Sequence, residues 1–156
     1  AFALAKGAEF VVHFDADGQH NPDDIEALLE PLRKGEADVV LGSRFLRDAD
    51  RRAVPPAKRV LLRTGRVVNA LLTGMWLSDA HNGLRALTRD AAAKIELREN
   101  RFAHASEILA EIRAARLRFV ERPTAIVYTE RSVAKGQPMW NSVKIVFDLL
   151  LRRIFR

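Results

Sequence analysis

The chain has 156 residues, of which 48% are apolar and 29% are charged, and this composition is typical of one soluble globular domain and excludes a disordered or low-complexity chain. It contains no cysteine, which excludes disulfide bonds, a cysteine nucleophile and a zinc site with thiolate ligands. The formal net charge is +6, but residues 1–43 are acidic whereas residues 44–66 and 130–156 are basic. Basic segments favour an anionic partner such as phosphate, nucleic acid or a membrane surface.

The first third of the chain predicts an alternation of helices and strands. Gly7 closes a helical segment, and the β-rich residues 10–14 predict a buried strand. Asn21, which precedes a proline and several acidic residues, predicts the start of a helix that stops at Gly35. A second apolar strand follows over residues 37–41, so this order predicts a βαβ unit with a parallel pair of strands.

The remaining elements are predicted from turn residues and apolar periodicity. The polar residues 44–53 predict a loop, and two prolines then open a long helix that Gly74 ends. Beyond it the sequence predicts a loop, a strand, a short helix capped by Asp90, a longer helix and an extended segment, over residues 78–83, 84–88, 90–95, 104–117 and 118–129. Pro123 predicts that the extended segment lies at an edge of the sheet or is interrupted there.

Two carboxylates follow the first strand. Side chains two residues apart in an extended segment point the same way, so Asp15 and Asp17 are expected to project together at the carboxyl edge of the sheet. Adjacent carboxylates repel, and oxygen ligands select a hard divalent cation, here Mg²⁺ or Mn²⁺. Gln19 and His20 are close enough in sequence to add a ligand. A solvated turn is the simpler alternative, and an EF-hand loop is disfavoured because its sixth position would be His20 instead of glycine.

Residues 10–24, FVVHFDADGQHNPDD, resemble the metal-binding segment of the polyprenyl-phosphate sugar synthases, inverting glycosyltransferases of family 2 that include the dolichyl-phosphate mannose synthases. Further matching stretches follow in the order that the family has them: residues 41–45, 78–85, 106–109 and 128–137. The resemblance implies an α/β fold of the GT-A type, which is a Rossmann-like nucleotide-diphospho-sugar transferase with a mixed sheet flanked by helices.

The resemblance also implies how the chain is divided. In the family, a βαβα portion with most of the nucleotide contacts precedes the metal-binding segment; it is expected to be missing here, so that the chain corresponds to the C-terminal two-thirds of a synthase. Residues 1–137 are then expected to form a partial GT-A domain. Residues 138–156 are apolar and end in arginines, which predicts an amphipathic helix at the membrane interface, with packing on the sheet as the alternative.

The reaction implied by the resemblance is the transfer of a hexosyl group, mannose or glucose, from a GDP- or UDP-sugar to a polyprenyl or dolichyl phosphate with inversion. A Mg²⁺ or Mn²⁺ ion held by Asp15, Asp17 and Gln19 would stabilise the leaving nucleoside diphosphate. Such a protein is expected to associate peripherally with the cytoplasmic face of a membrane and not to bind nucleic acid.

By the same resemblance, two groups of residues are assigned to the site. The expected catalytic residues are Asp79, Arg85 and Glu107. The expected substrate-binding residues are Asp15, Arg44, Arg131, Ser132 and Lys135. A lipid phosphate is already largely ionised at neutral pH, because its second pKa is about 6, so it needs positioning cations more than a base.

Two alternatives remain open at this point. A glycosyltransferase of the same fold that acts on a sugar hydroxyl would need a base, for which Glu107 or Asp79 are the candidates. The basic residues 44–66 would suit a nucleic-acid-binding module, but they include a single aromatic residue, Phe45, and no recognition motif.

Overall fold

The computed structural model describes residues 2–15, 18–97 and 103–127. Within these ranges, the side chains of residues 57, 72 and 103–106 are not described. The predicted helix over residues 138–156 lies outside the described residues.

The described residues form six helices and four strands. In chain order they are α1 (Phe2–Ala5), β1 (Phe10–His13), α2 (Asp24–Arg33), β2 (Val39–Ser43), α3 (Asp48–Ala53), α4 (Pro56–Thr73), β3 (Arg85–Thr88), α5 (Arg89–Lys94), α6 (Ala103–Ala114) and β4 (Phe119–Pro123). None of the helices in the described part of the chain is long and apolar enough to cross a membrane.

Helix ends follow the local signals in most cases. Gly7, Gly35 and Gly74 have φ angles of 80°, 68° and 71°, the left-handed conformation that ends a helix and that glycine adopts without a steric penalty. The prediction that Asp90 caps the short helix is wrong, because α5 begins two residues earlier. There the hydroxyl of Thr88 accepts a hydrogen bond from the N–H of Ala91 at 3.2 Å.

The prediction of a loop over residues 44–53 is wrong for its second half, which forms α3. Two pairs of opposite charge three residues apart support this helix: Arg47 with Asp50, and Asp48 with Arg51. Acidic residues occupy its first turn and basic residues its last turn, which complements the helix dipole. The segment is polar because the helix buries no side chain.

The sheet has the strand order β1-β3-β2-β4. β3 pairs antiparallel with β1 and with β2, and Ala86 faces Val12 on one side and Val40 on the other. The predicted parallel pair is therefore wrong in one respect: β1 and β2 run in the same direction, but β3 lies between them. β4 is parallel to β2 at the sheet edge, as Pro123 predicts.

Both faces of the sheet are covered by helices. Successive residues of β2 point to opposite sides, so each face contributes apolar side chains to its own cluster. Val40 packs with Leu28 and Leu32 of α2 on one face. On the other face Val39 and Leu41 pack with apolar residues of the α4–β3 connection, α5 and α6, which include Met75, Leu77, Ala91, Ile108 and Ile112. The mixed sheet flanked by helices confirms the predicted α/β architecture.

The substitution Gly42→Ala is expected to destabilise the end of β2. A β-carbon at this position would lie 2.9 Å from the carbonyl oxygen of Leu84 and 2.9 Å from the methyl group of Thr124. We expect a loss of about 1–3 kcal/mol in the free energy of unfolding, measured by urea denaturation.

Gly35→Ala is the matched control, because a β-carbon there meets no atom within 4 Å and costs only the strain of a φ angle of 68°, about 1 kcal/mol. A loss for Gly42→Ala no larger than that for Gly35→Ala would contradict the close packing described at β2.

Candidate functional site

Three strands end at the same edge of the sheet. β1, β2 and β4 run in one direction, because β3 is antiparallel to both of its neighbours and β4 is parallel to β2. The residues that follow these strands, and the loop over residues 78–84 that leads into β3, therefore meet at this edge. Open α/β sheets bind their ligands outside the carboxyl ends of their strands, which makes this edge the candidate site.

Arg44 and Asp79 form a buried ion pair at this edge. Nε and Nη2 of Arg44 donate to the two carboxylate oxygens of Asp79 at 2.5 and 2.6 Å, and the backbone N–H of Arg44 donates to Oδ2 at 3.1 Å. The N–H of His81 donates to Oδ1 at 3.3 Å. Arg44 is 6% exposed and Asp79 is 4% exposed, so the pair is almost fully removed from water and ties the end of β2 to the loop.

A second carboxylate, which the sequence motifs did not identify, holds the same loop. Glu121 in β4 accepts hydrogen bonds from the backbone N–H of Ser78 at 2.9 Å, from its hydroxyl at 2.7 Å and from the N–H of Asp79 at 3.3 Å. The Ser78 hydroxyl also lies 2.5 Å from that of Ser43. The available signal was an acidic residue in a predicted strand, which alone does not indicate what the carboxylate contacts.

Asn82 fixes the C-terminal half of the loop. Its side-chain amide donates to the hydroxyl of Thr124 at 2.8 Å, and its carbonyl oxygen accepts from the N–H of Leu84 at 3.0 Å. Thr124 is fully buried and directly follows β4. The loop is therefore held at both ends by residues of β4 or just beyond it, and its backbone is fixed before any ligand binds.

Asp15 and Arg85 lie near each other beside this loop, since His13 pairs with Arg85 across β1 and β3. Arg85 is 5% exposed, and its guanidinium donates to the carbonyl oxygen of Gly83 at 3.2 Å and of Asn82 at 3.5 Å. Burial lowers the pKa of Arg85, while the negative charge of Asp15 raises it. A β-carbon at Gly83 would overlap the Asp15 carboxylate, so glycine leaves room for that carboxylate in its present position.

The predicted metal ligands are only partly within the described residues. Asp15 keeps 65% of its side-chain surface exposed, and its carboxylate lies 4.0 Å from Nε2 of His20. Gln19 is half-buried, and its backbone carbonyl oxygen accepts a hydrogen bond from the N–H of Val127 at 2.8 Å. Asp17 lies outside the described residues. Among the residues that the structure describes, no group of three or more His, Cys, Asp or Glu side chains could hold a metal ion.

Helix α4 brings one cation, Lys58, to the site. Lys58 lies close enough to Arg44 and Asp79 to sense both charges: burial lowers its pKa, Arg44 lowers it further and Asp79 raises it. Gly65, about two turns further along the same face of α4, packs against the ring of His81, because a β-carbon there would lie 2.7 Å from Cε1. Sequence motifs did not identify Lys58, which has no signal beyond the basic character of its segment.

The remaining predicted site residues are not brought to this edge by described contacts. Glu107 is half-buried on α6, the helix that packs against α4. Arg131, Ser132 and Lys135 lie outside the described residues. The structure therefore assembles Asp15, Arg44, Asp79 and Arg85 around one loop.

The sequence is similar to those of known glycosyltransferases. The model of the family "Glycosyl transferase family 2" matches residues 1–96.

The chain is 32% identical over 155 residues to an uncharacterized protein of Methanocaldococcus jannaschii, covering 98% of this chain and 64% of that protein. It is 33% identical over 154 residues to a UDP-N-acetylglucosamine–dolichyl-phosphate N-acetylglucosaminyltransferase of Methanococcus voltae, covering 97% of this chain and 61% of the relative. A dolichol-phosphate mannosyltransferase of Pyrococcus furiosus is 28% identical over 155 residues, 96% of this chain and 42% of its own length. The chain thus spans less than two thirds of the length of these relatives.

Removing one partner of the buried ion pair is expected to destabilise the protein more than removing both. Arg44→Met leaves the Asp79 carboxylate buried without its guanidinium, and we expect a loss of about 3–5 kcal/mol in the free energy of unfolding. The double variant Arg44→Met/Asp79→Leu replaces the pair by apolar side chains and is expected to recover most of that loss. Urea denaturation of the single and double variants measures the coupling.

Asp48→Asn is the control, because the exposed pair of Asp48 with Arg51 is screened by water and its loss is expected to leave the unfolding midpoint unchanged. A double variant that is no more stable than Arg44→Met alone would contradict the ion pair.

Proposed function

The chain belongs to glycosyl transferase family 2, and from this premise we propose that the protein transfers a hexosyl group from a nucleotide diphosphate sugar to a polyprenyl phosphate, with inversion at the anomeric carbon. The names of several relatives support the lipid phosphate acceptor: they are dolichyl- or polyprenyl-phosphate sugar transferases. The observation that carries the proposal is the loop over residues 78–84. It is fixed by hydrogen bonds and lies beside the cations of Arg44, Lys58 and Arg85 and the exposed carboxylate of Asp15.

The charges at this loop suit two phosphorylated substrates. Arg44, Lys58 and Arg85 supply three cations within or beside the loop, and Asp79 neutralises one of them. Buried cations interact strongly with phosphate because little water screens them. In the proposed reaction, an oxygen of the lipid phosphate attacks the anomeric carbon, the bond from that carbon to the β-phosphate oxygen breaks, and the nucleoside diphosphate leaves.

The acceptor phosphate is ionised near neutral pH and needs no base. Asp79 is poorly placed to serve as one, since its carboxylate already accepts four hydrogen bonds from Arg44 and His81. We assign Asp79 the task of positioning Arg44 and the loop. Arg131, Ser132 and Lys135 are proposed to bind the acceptor phosphate, on the strength of the sequence resemblance.

The oxygen ligands offered after β1 suit a divalent cation. The exposed carboxylate of Asp15, the amide of Gln19 and the carboxylate of Asp17 offer the oxygen ligands that Mg²⁺ and Mn²⁺ prefer. When bound, such an ion supplies Lewis-acid stabilisation of the leaving diphosphate. The absence of a β-carbon at Gly83 lets the Asp15 carboxylate lie against the loop.

A lipid acceptor requires access to a membrane. We propose that the protein associates peripherally with the cytoplasmic face, and that residues 138–156 contribute to this association through their apolar side chains and terminal arginines. The donor is proposed to be a GDP- or UDP-hexose, with mannose or glucose as the sugar.

Metal binding is expected to depend on Asp15 and on the nucleotide diphosphate sugar. In calorimetric titrations with Mn²⁺, a nucleotide diphosphate hexose is expected to tighten Mn²⁺ binding, because its diphosphate completes the ligand set. Asp15→Asn is expected to weaken binding by about tenfold or more.

The matched control is Asp23→Asn, an exposed carboxylate in the turn before α2. If Mn²⁺ binds equally to both variants, or if the donor has no effect on its affinity, the proposed metal site is wrong.

The substitution Glu107→Gln separates a phosphate acceptor from a hydroxyl acceptor. Because an ionised phosphate needs no proton removed, we expect kcat with polyprenyl phosphate to fall by less than about tenfold. Loss of a general base would instead cost about 10²–10⁴-fold.

Glu111→Gln, one turn further along α6, serves as the control for a change of charge on this helix. A loss in kcat of a hundredfold or more for Glu107→Gln alone would favour the transferase that acts on a hydroxyl group.

A further inference from the structure

Helix α4 carries an apolar stripe that faces away from the protein. Val60, Val67 and Leu71 are 65%, 46% and 70% exposed. At 3.6 residues per turn these three side chains lie within an arc of about 40° on the helix. Thr64 lies on the same stripe, and its hydroxyl donates to the carbonyl oxygen of Val60 at 3.2 Å, which satisfies its polar atom within the helix. Exposed apolar side chains are common singly, but a continuous stripe indicates a binding surface.

Arginines line one side of this stripe. Arg59, Arg63 and Arg66 follow at helical spacing and occupy an adjacent arc of about 60°. The guanidinium carbon of Arg66 lies 4.5 Å from the ring centroid of Trp76, which is 63% exposed just beyond the end of the helix. An exposed indole beside a row of arginines and an apolar stripe is the combination found in helices that lie in a membrane interface.

We propose that α4 and Trp76 form a docking surface for an anionic lipid bilayer. Val60, Val67 and Leu71 enter the boundary between headgroups and acyl chains, Trp76 lies at headgroup level, and the arginines contact lipid phosphates. The helix contains four basic residues and no acidic residue, which complements a negatively charged leaflet. Its length of 18 residues and its charges suit a helix that lies on the surface.

Charge selects the bilayer over other occupants. A second copy of the chain in a twofold contact would bring this basic face against itself. Residues 138–156 hold four basic side chains against one acidic side chain and are also of like charge. A nucleic acid would satisfy the arginines, but its phosphate backbone offers no partner for the apolar stripe.

The surface is coupled to the candidate site through the same helix. The opposite face of α4 carries Gly65 against the ring of His81, and Lys58 lies near the pair of Arg44 and Asp79. A docked α4 therefore places the loop over residues 78–84 one helix diameter, about 10 Å, from the leaflet. The proposal rests on the proposed function only for the meaning of this placement, because binding to the bilayer requires neither a sugar donor nor a metal ion.

Vesicle binding by the full chain tests the surface. The variant Trp140→Phe leaves Trp76 as the sole tryptophan, so its fluorescence reports on this surface. With vesicles of phosphatidylcholine and phosphatidylglycerol, we expect a blue shift and quenching by lipids brominated on their acyl chains. In this background, Val60→Ser/Val67→Ser/Leu71→Ser is expected to lower the partition coefficient by about tenfold or more. Arg63→Gln is expected to lower it by about fivefold.

The matched control is Phe2→Ser/Leu97→Ser, which removes two exposed apolar side chains elsewhere and is expected to bind like the parent. The circular dichroism of these variants is expected to match that of their Trp140→Phe parent, since the side chains substituted in that background are exposed. Equal loss of binding in the control and the triple variant, or no quenching of Trp76, would overturn the proposal.

Two further outcomes would assign the surface to another occupant and overturn the proposal. One is self-association in sedimentation velocity that the triple variant abolishes, which would indicate a second copy of the chain. The other is salt-dependent binding of single-stranded RNA that survives the triple substitution, together with absence of vesicle binding. Because these assays contain no donor, their failure leaves the proposed transfer reaction standing, whereas loss of transfer with intact vesicle binding contradicts that reaction alone.

Discussion

The buried ion pair of Arg44 with Asp79 determines how the carboxyl edge of the sheet is organised. Two charged groups removed from water are tolerated only when each satisfies the other, and here the guanidinium meets both carboxylate oxygens. Arg44 follows β2 and Asp79 belongs to the connection between α4 and β3, so one interaction fixes two segments that are 35 residues apart. Together with the hydrogen bonds of Glu121 and Asn82, this pair fixes the shape of the loop over residues 78–84.

The second carboxylate of the site is stabilised in a different way. Glu121 is held by N–H and O–H donors of Ser78 and Asp79 and makes no ion pair with the loop. These bonds link β4 to the segment that presents Asp79, so the ion pair is itself positioned by a neighbouring strand. Arg85 completes the arrangement as a buried cation that donates to backbone carbonyl groups and lies near the exposed Asp15. The polar groups of the loop are thus largely occupied within the protein, and Asp15 remains accessible to a ligand.

Local signals predicted most of the elements. Of the errors, the position of β3 depends on long-range contacts, whereas α3 and the start of α5 depend on contacts within a few residues. Gly7, Gly35 and Gly74 end helices where the sequence indicates, because the left-handed conformation is a property of the residue itself. The position of β3 between β1 and β2 could not be predicted from local sequence, because strand pairing depends on contacts between residues far apart in the chain. At the candidate site, Asp15 was predicted from two carboxylates that follow a strand, and Arg44, Asp79 and Arg85 were predicted from the resemblance to a family. Glu121 and Lys58 were missed because their contacts exist only after folding brings distant segments together.

Helix α4 explains why a basic segment follows the acidic start of the chain. Its inner face must be small at Gly65 to admit the ring of His81, and it brings Lys58 toward the ion pair. Its outer face is free of that packing constraint, yet it carries valine, leucine and arginine where a purely solvated helix would carry mixed charges. A single helix with these two faces can align an anionic lipid surface with the cationic edge of the sheet. In the two proposed interactions, the excess positive charge of residues 44–66 faces substrate phosphates on the inner side of α4 and bilayer phosphates on its outer side.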